Sequence, residues 1–264
     1  MTQLLHADIT EKAWRAYYTN YNAHGHDYPE SFYEEMMRIE LEHLGLSCRT
    51  QVEYNIHYKG VKVGVHLTDT ELDDKVILEY KVVPKIQERH CMQLVSYLKA
   101  SGKEAGLVLN FGCAEPDGKR RVLTEIGKIF DPVWNPDDPI RIDLLYPEPN
   151  MQLRHAAWTV YNELGSGFVR RIYGNALHTE IRLRGIAAYR LGEMKVIHRG
   201  QEVGALSFPH IIVDKTMVVA PIANVEITHS HLNRLRVVLR QRGLHLGMIV
   251  NFANEKLEMR YVRV

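Results

Sequence analysis

Long apolar runs and paired cysteines are both absent from this sequence. No stretch approaches the roughly 20 apolar residues that a membrane-spanning helix needs, and the first residues lack the basic start and apolar segment of a signal peptide. The three cysteines, Cys48, Cys91 and Cys113, are odd in number and lack metal-type spacing, which argues against a disulfide framework. The sequence therefore predicts a protein of the reducing cytoplasm with no membrane partner.

The composition indicates ordinary hydrophobic cores, and the distribution of proline divides the chain. Of the 264 residues, 45% are hydrophobic and 25% are charged, which suits one large domain or two of about 130 residues. Five of the ten prolines fall between positions 131 and 150. We therefore predict one domain over residues 1–130, a proline-rich linker over 131–150 and a second domain over 151–264.

The net charge of +1 conceals an uneven distribution. Residues 1–140 contain 16 Lys and Arg against 22 Asp and Glu, whereas residues 141–264 contain 17 against 10. A basic half can attract the acidic half or contact an anion such as nucleic acid. Unrelated drift of charge on two solvated surfaces is the alternative interpretation.

The second half of the sequence repeats the first. At an offset of 140 the pairs are Tyr21-Asn22 with Tyr161-Asn162, Gly45 with Gly185, Gly60 with Gly200, and Gly64 with Gly204. At an offset of 141, Asn110-Phe111 matches Asn251-Phe252. Turn glycines and strand starts in one register over about 120 residues indicate a duplicated domain. The one-residue change of offset is predicted between positions 81 and 97.

An acidic stretch in the first copy carries the candidate chemistry. Residues 61–69 and 75–82 are predicted strands joined by a tight turn. Because side chains alternate along a strand, Glu79 and Lys81 share one face, and Asp69 ends the apolar row of the neighbouring strand. Two carboxylates in a partly dry site raise each other's pKa unless a cation lies between them. Two acids beside a lysine are what a divalent-metal phosphodiesterase needs.

The second copy keeps the glycines and apolar positions but loses every candidate catalytic residue. At the offsets above, the replacements are Arg170 for Glu30, Pro209 for Asp69, Val219 for Glu79, Pro221 for Lys81 and Arg234 for Gln93. Structural acids would be expected to survive in at least some positions. Their joint loss indicates that they serve one chemical purpose, which only the first copy performs.

These residues resemble a known family. Asp69, followed ten residues later by Glu79-Tyr80-Lys81 at the end of an apolar strand, resembles the PD-(D/E)XK nuclease superfamily. Glu30 and Tyr33 are similar to the signature of its GxxExxY branch, although Asp27 replaces the first glycine of that signature. Gln93 and Tyr97 match the Gln-x-x-x-Tyr helix motif that is shared with RecB-type nucleases.

The resemblance implies a fold. It implies the α/β (α+β) class, with two tandem restriction-endonuclease-like domains, each a mixed sheet of about four strands flanked by helices. The expected order in each domain is α-β-β-β-α-β, and the strands predicted from periodicity follow the same order independently.

The resemblance also implies roles for the first copy. Asp69 and Glu79 are expected to bind Mg²⁺ or Mn²⁺, with Glu30 completing the metal shell directly or through water. Lys81 is expected to orient or deprotonate the attacking water and to offset phosphate charge. Hard oxygen ligands with several retained waters are what Mg²⁺ prefers.

The helix motif is expected to act on the substrate. Gln93 and Tyr97 lie one turn apart on one face and would position the strand or the scissile phosphate. Each candidate also has a structural interpretation. Gln93 and Tyr97 can be a surface amide and a core aromatic, Glu30 an ordinary first-turn acid favoured by the helix dipole, and Glu79 with Lys81 an exposed ion pair.

The sequence thus predicts a metal-dependent nuclease with one active and one pseudo-catalytic domain. The substrate is expected to be nucleic acid, with DNA preferred over RNA. A catalytically silent scaffold that binds nucleic acid or protein is the alternative, and a small-molecule enzyme is a third hypothesis because fold does not fix the substrate. The two copies are expected to pair within one chain, with a homo-oligomer as the alternative.

Overall fold

A computed structural model describes residues 4–26, 28–123, 145–207, 209–254 and 256–264. The chain divides into two units, the first formed by Met1–Ile56 and Val65–Phe130 and the second by His57–Gly64 and Asp131–Val264. Of the predicted linker, residues 131–150, positions 131–144 lie outside the described residues. None of the described helices is long and apolar enough to span a membrane.

The first copy begins with two helices and continues into a five-stranded sheet. Its elements are α1 (Ala7–His24), α2 (Glu30–His43), β1 (Cys48–Tyr58), β2 (Val61–Leu72), β3 (Val76–Lys81), α3 (Glu88–Ser101), β4 (Ala105–Asn110) and β5 (Asp117–Val122). The sheet order is β1-β2-β3-β4-β5. Strands β3 and β4 are parallel, and β2–β3 and β4–β5 are antiparallel pairs.

The central strands of this sheet are apolar because helices cover both of their faces. All six residues of β4 are buried, as are the first five of β3, which is the pattern expected for central parallel strands. Helices α1 and α2 pack on one face through Tyr17, Tyr33 and Phe111, and α3 packs on the other through Leu94 and Leu98. The parallel β3–α3–β4 connection therefore places the end of β3 beside the start of α3.

The second copy repeats this architecture. Its elements are α4 (Pro147–Leu164), α5 (Arg170–Leu183), β6 (Ala188–Arg190), β7 (Glu193–His198), β8 (Gln201–Ser207), β9 (Ile211–Val213), β10 (Met217–Ile222), α6 (His229–Arg242), β11 (Leu246–Asn251) and β12 (Glu258–Arg263). The main sheet has the order β12-β11-β10-β9-β6, and β7 pairs with β8 separately. The predicted fold class is confirmed, with five strands in each main sheet where about four were expected.

The change of offset between the copies lies earlier than predicted. Helix α5 follows α2 at an offset of 140, whereas α6 follows α3 at 141. Leu72 already pairs with Val76 as Val213 pairs with Met217, which is an offset of 141. The step therefore precedes Leu72, and its predicted place between positions 81 and 97 is wrong. Side-chain similarity alone could not locate it, because only the hydrogen-bonded ladder fixes strand register.

This correction changes which residues stand opposite the first-copy motif. Glu79 pairs with Val108 in the first sheet, and Ala220 pairs with Ile249 in the second. The counterparts by register are Ala220 for Glu79 and Ile222 for Lys81, in place of Val219 and Pro221. The same offset of 141, extended by one residue from the Thr70 and Ile211 pairings, gives His210 for Asp69 in place of Pro209. The conclusion drawn from the repeat is unaffected, because the second copy still has neither an acid nor a lysine at these positions.

The turn between β1 and β2 belongs to the second unit. The Tyr58 hydroxyl and the Lys59 ammonium both donate to Oε2 of Glu180, at 2.8 and 2.6 Å, and Arg184 Nε donates to Oε1 at 2.9 Å. Glu180 is only 2% exposed, and its pKa is lowered by these three donors although burial acts in the opposite direction. Its buried charge is therefore fully compensated.

Candidate metal centre

Helix α2 is held at its start by an aromatic anchor. The hydroxyl of Tyr33 donates to the carbonyl of Gly25 at 2.8 Å, and its ring stacks on Phe111 at 4.2 Å between centroids. Tyr33 is fully buried. The anchor fixes the first turn of α2 against the sheet, so that Glu30 is directed towards the end of β3.

Three carboxylates meet beside this turn. Glu30, Glu34 and Asp69 each offer an oxygen, and these oxygens all lie within 4.8 Å of one another. Burial raises the pKa of Glu30, against the opposing effect of Lys81. Burial also raises the pKa of Glu34, and repulsion from Asp69 and Glu30 adds to it. The group therefore binds protons more readily than isolated carboxylates do.

Asp69 is oriented by the neighbouring strand. Its Oδ2 accepts the backbone N–H of Tyr80 at 2.9 Å. Burial raises the pKa of Asp69, whereas the Tyr80 N–H and the Lys81 ammonium act against that rise. A side-chain hydrogen bond with Glu79 acts in the same direction as these two groups, so Asp69 is tied to both neighbours on β3.

Glu79 and Lys81 form a buried pair. Glu79 is 1% exposed, and its Oε1 accepts a hydrogen bond from the Lys81 ammonium. Its Oε2 is buried and has no partner among the residues that the structure describes. Burial, with repulsion from Asp69 added, raises the pKa of Glu79 to about 8. The interpretation as an exposed ion pair is therefore wrong.

The predicted ligand set and the observed group differ in one member. Glu30 and Asp69 come together as the sequence predicted, but Glu34 joins them within 4.8 Å while Glu79 is held by Lys81. Sequence reasoning missed Glu34, although its position four residues after Glu30 on one helix face was a usable signal. Direct ligation by Glu79 stays a prediction.

The helix motif lies close to this group. Gln93 Nε2 donates to the hydroxyl of Tyr97 at 2.7 Å, one turn along α3. Tyr97 is 4% exposed, and its ring packs edge-on against His66 at 4.5 Å between centroids. Burial raises the pKa of Tyr97, and repulsion from Glu79 adds to the rise. The pair is thus within electrostatic range of the carboxylates, and His66 is a neighbour that the sequence did not reveal.

The donor set fits a hard divalent cation. Up to four carboxylates face one lysine, so full ionisation of the group would give more negative charge than Lys81 can offset. Oxygen ligands at this density suit Mg²⁺ or Mn²⁺ rather than a soft metal. The unpartnered Oε2 of Glu79 marks a place where a positive ligand would remove a cost of burial.

Burial of Glu79 predicts that metal-free stability depends on pH. Its folded-state pKa of about 8 exceeds its ordinary value of 4.5, so the unfolded chain releases this proton at lower pH than the folded chain does. The contribution of this protonated carboxyl to the free energy of unfolding is therefore complete below about pH 4.5 and is lost as the pH rises towards 8. Thermal unfolding in EDTA should show a midpoint that falls as the pH rises from about 4.5 to 8. Histidines titrate within the same range, so the trend is assigned by comparison with a variant that lacks the Glu79 carboxyl.

Three controls assign this pH dependence to the carboxylates. Mn²⁺ should raise the midpoint most at pH 8, where ionised carboxylates are available. Glu79→Gln removes the buried carboxyl that titrates and should flatten the metal-free profile, whereas Asp69→Asn removes only the smaller contribution of repulsion and should reduce the slope in part. An equal slope in Glu79→Gln and wild type would contradict this account of Glu79.

The fold and this carboxylate–lysine site together define a nuclease-like protein. The model of the family described as the PD-(D/E)XK nuclease superfamily matches residues 7–122 and again residues 148–264. The chain therefore belongs to the PD-(D/E)XK nuclease superfamily, and the predicted tandem duplication is confirmed. No significant match was found among curated proteins or among solved structures.

Proposed function

We propose that this chain is a metal-dependent nuclease in which the first copy is active and the second is not. The observation that carries the proposal is the buried Glu79 carboxylate beside Asp69, with one oxygen held by Lys81 and the other without a hydrogen-bond partner among the described residues. A buried carboxylate of this kind destabilises a metal-free fold. A purely structural role does not account for it, whereas a cation site does.

The proposed roles follow the contacts. Asp69, Glu30 and Glu34 would hold Mg²⁺ or Mn²⁺, and Glu79 would complete the shell or keep Lys81 in place. When bound, the cation supplies charge neutralisation at a phosphodiester and lowers the pKa of a water molecule. The Lys81 ammonium, held by Glu79, would orient the attacking water and offset phosphate charge.

The helix motif is assigned to the substrate. The Gln93 side-chain oxygen stays available while its Nε2 donates to Tyr97, so the pair can orient a water or a nucleotide group near the carboxylates. Nucleic acid is the proposed substrate, with DNA as the expected form. A silent scaffold of the same fold is the second candidate, and the excess of basic residues in the second copy favours it if cleavage is not found.

Metal dependence tests the proposal directly. The full chain should cleave labelled single- or double-stranded DNA in the presence of Mg²⁺ or Mn²⁺ and should not cleave it in EDTA. The same panel with RNA separates the two substrates. Absence of metal-stimulated cleavage from every substrate would favour the scaffold.

Glu34 and Glu35 provide a matched pair of variants. Glu34→Gln should weaken Mn²⁺ binding and lower the cleavage rate, each by about tenfold or more, because Glu34 belongs to the carboxylate group. Glu35→Gln, next along α2, should change neither, because Glu35 is exposed and pairs with Arg38 at 2.6 Å. Calorimetric titration with Mn²⁺ and a cleavage assay measure the two effects. Equal losses in both variants would remove Glu34 from the site.

Two expectations about setting accompany the proposal. Cys48, Cys91 and Cys113 are all free thiols, which is compatible with the predicted cytoplasmic location. Pairing of the two copies within a chain, and the domain boundaries at 130 and 151, stay predictions.

A further inference from the structure

The second copy has a cavity where the first has its carboxylates. The counterparts by register are Arg170 for Glu30, Gly174 for Glu34, His210 for Asp69, Ala220 for Glu79 and Ile222 for Lys81. A cavity of about 240 Å³ is lined by three of these residues, Arg170, Gly174 and His210. The charge at this place in the fold is therefore reversed, and glycine at the Glu34 position leaves room.

Three arginines and no acidic residue are among the residues that line this cavity. Arg170 and Arg171 open helix α5, and Arg190 lies at the end of β6 on the same wall. None of the three forms an ion pair with any residue that the structure describes, and none of the lining residues is Asp or Glu. The first turn of a 14-residue helix adds backbone N–H groups and a favourable dipole to these guanidinium groups.

His210 supplies a polar wall rather than a further charge. It is 7% exposed, and burial lowers its pKa to about 4, with Arg170 and Arg234 contributing in the same direction. The imidazole is therefore neutral near pH 7. Because Arg234 lowers the pKa of His210, a fourth guanidinium group lies within electrostatic range of this imidazole. Arg234 belongs to α6, the counterpart of α3.

We propose that this cavity is a binding site for a phosphate group. Arginine guanidinium groups recognise phosphate through paired, charge-assisted hydrogen bonds. The volume of about 240 Å³ lies below the roughly 300 Å³ of sites for larger organic ligands. A phosphate group with some of its hydration fits this size. The site goes beyond the nuclease proposal, since binding needs no divalent cation and no cleavage.

Binding is tested with the full chain in EDTA. Two probes are used. Binding of inorganic phosphate is measured by the thermal shift of the protein, and binding of a fluorescent 12-nucleotide single strand is measured by fluorescence anisotropy. In Arg170→Ala/Arg190→Ala, phosphate should no longer raise the unfolding midpoint. If the phosphate belongs to a nucleic-acid backbone, the dissociation constant for the strand should also rise at least about tenfold. The slope of log K against log salt should become shallower by about 1.4, since two contacts to a single strand are lost.

Two control variants separate this site from general charge. Arg182→Ala/Arg242→Ala removes the same charge from the last turns of α5 and α6, outside the cavity, and should leave phosphate binding unchanged. Gly174→Leu fills the cavity without changing charge. A Cβ at this position lies 3.4 Å from Pro221 at the nearest, so the helix should tolerate the substitution while phosphate binding is lost.

The outcomes distinguish the sources of phosphate. If the cavity variants lose binding of both probes, the ligand is a nucleic-acid backbone. If they lose binding of inorganic phosphate alone, the ligand is a free phosphate or a small phosphate ester. Either result supports the site, whether or not the first copy cleaves DNA. Failure of wild type to bind either probe, or equal effects in the cavity and control variants, would overturn it.

Discussion

Replacement of Lys81 by methionine should lower metal-dependent cleavage by about 10²–10³-fold without abolishing Mn²⁺ binding. The Lys81 ammonium lies among the carboxylates and is only 14% exposed, so its charge acts in a partly dry environment. It supplies no ligand atom to a cation. Its removal therefore takes away stabilisation of the developing phosphate charge while the oxygen donors stay in place.

The comparison set for Lys81 contains two further variants. Lys85→Met removes an exposed lysine from the loop after β3 and should leave cleavage unchanged. Asp69→Asn should lose both cleavage and Mn²⁺ binding. Initial cleavage rates and Mn²⁺ titration calorimetry measure the two quantities, with circular dichroism to verify folding. Full activity in Lys81→Met would exclude the proposed role.

Removal of the Glu180 carboxylate should destabilise the second unit by about 1–3 kcal/mol. Glu180→Ala leaves the Tyr58 hydroxyl, the Lys59 ammonium and the Arg184 guanidinium without their shared acceptor. The estimate lies below the cost of breaking a fully buried ion pair, because the Lys59 side chain is 38% exposed. Hydrogen exchange should therefore accelerate about 5- to 150-fold in peptides covering residues 57–64 and 170–184.

An exposed ion pair provides the reference for this effect. Glu202→Ala breaks a contact with Lys195 in which the side chains are 45% and 70% exposed, and pairs of this type contribute about 0–1 kcal/mol. Exchange mass spectrometry on both variants reports local stability, which a single midpoint cannot do for a protein of two units. Similar exchange in Glu180→Ala and wild type would mean that the buried charge network contributes little.

The duplicated fold could be predicted because turn residues carry much of its information. Gly45, Gly60, Gly185 and Gly200 all have φ between 76° and 81°, a conformation that favours glycine. Their repetition at one offset therefore indicates that the same turns recur in both copies. Buried central strands add continuous apolar runs, and both signals are local in sequence.

The periodicity of the sequence placed two members of the site together because one strand carries both. Glu79 and Lys81 are two residues apart, so alternation along β3 was enough to place them together. Glu34 was missed because its role depends on which face of α2 meets β2, and that is a tertiary contact. His210 was missed because side-chain similarity could not locate the one-residue change before Leu72.

The backbone hydrogen bond from Tyr80 to Asp69 has a consequence for protein engineering. The residue that corresponds to Tyr80 is Pro221, which has no N–H to donate. An aspartate introduced in place of His210 would lack the donor that orients Asp69. Restoring acidic side chains alone should therefore not turn the second copy into a working nuclease, and any such reconstruction has to begin by replacing a proline.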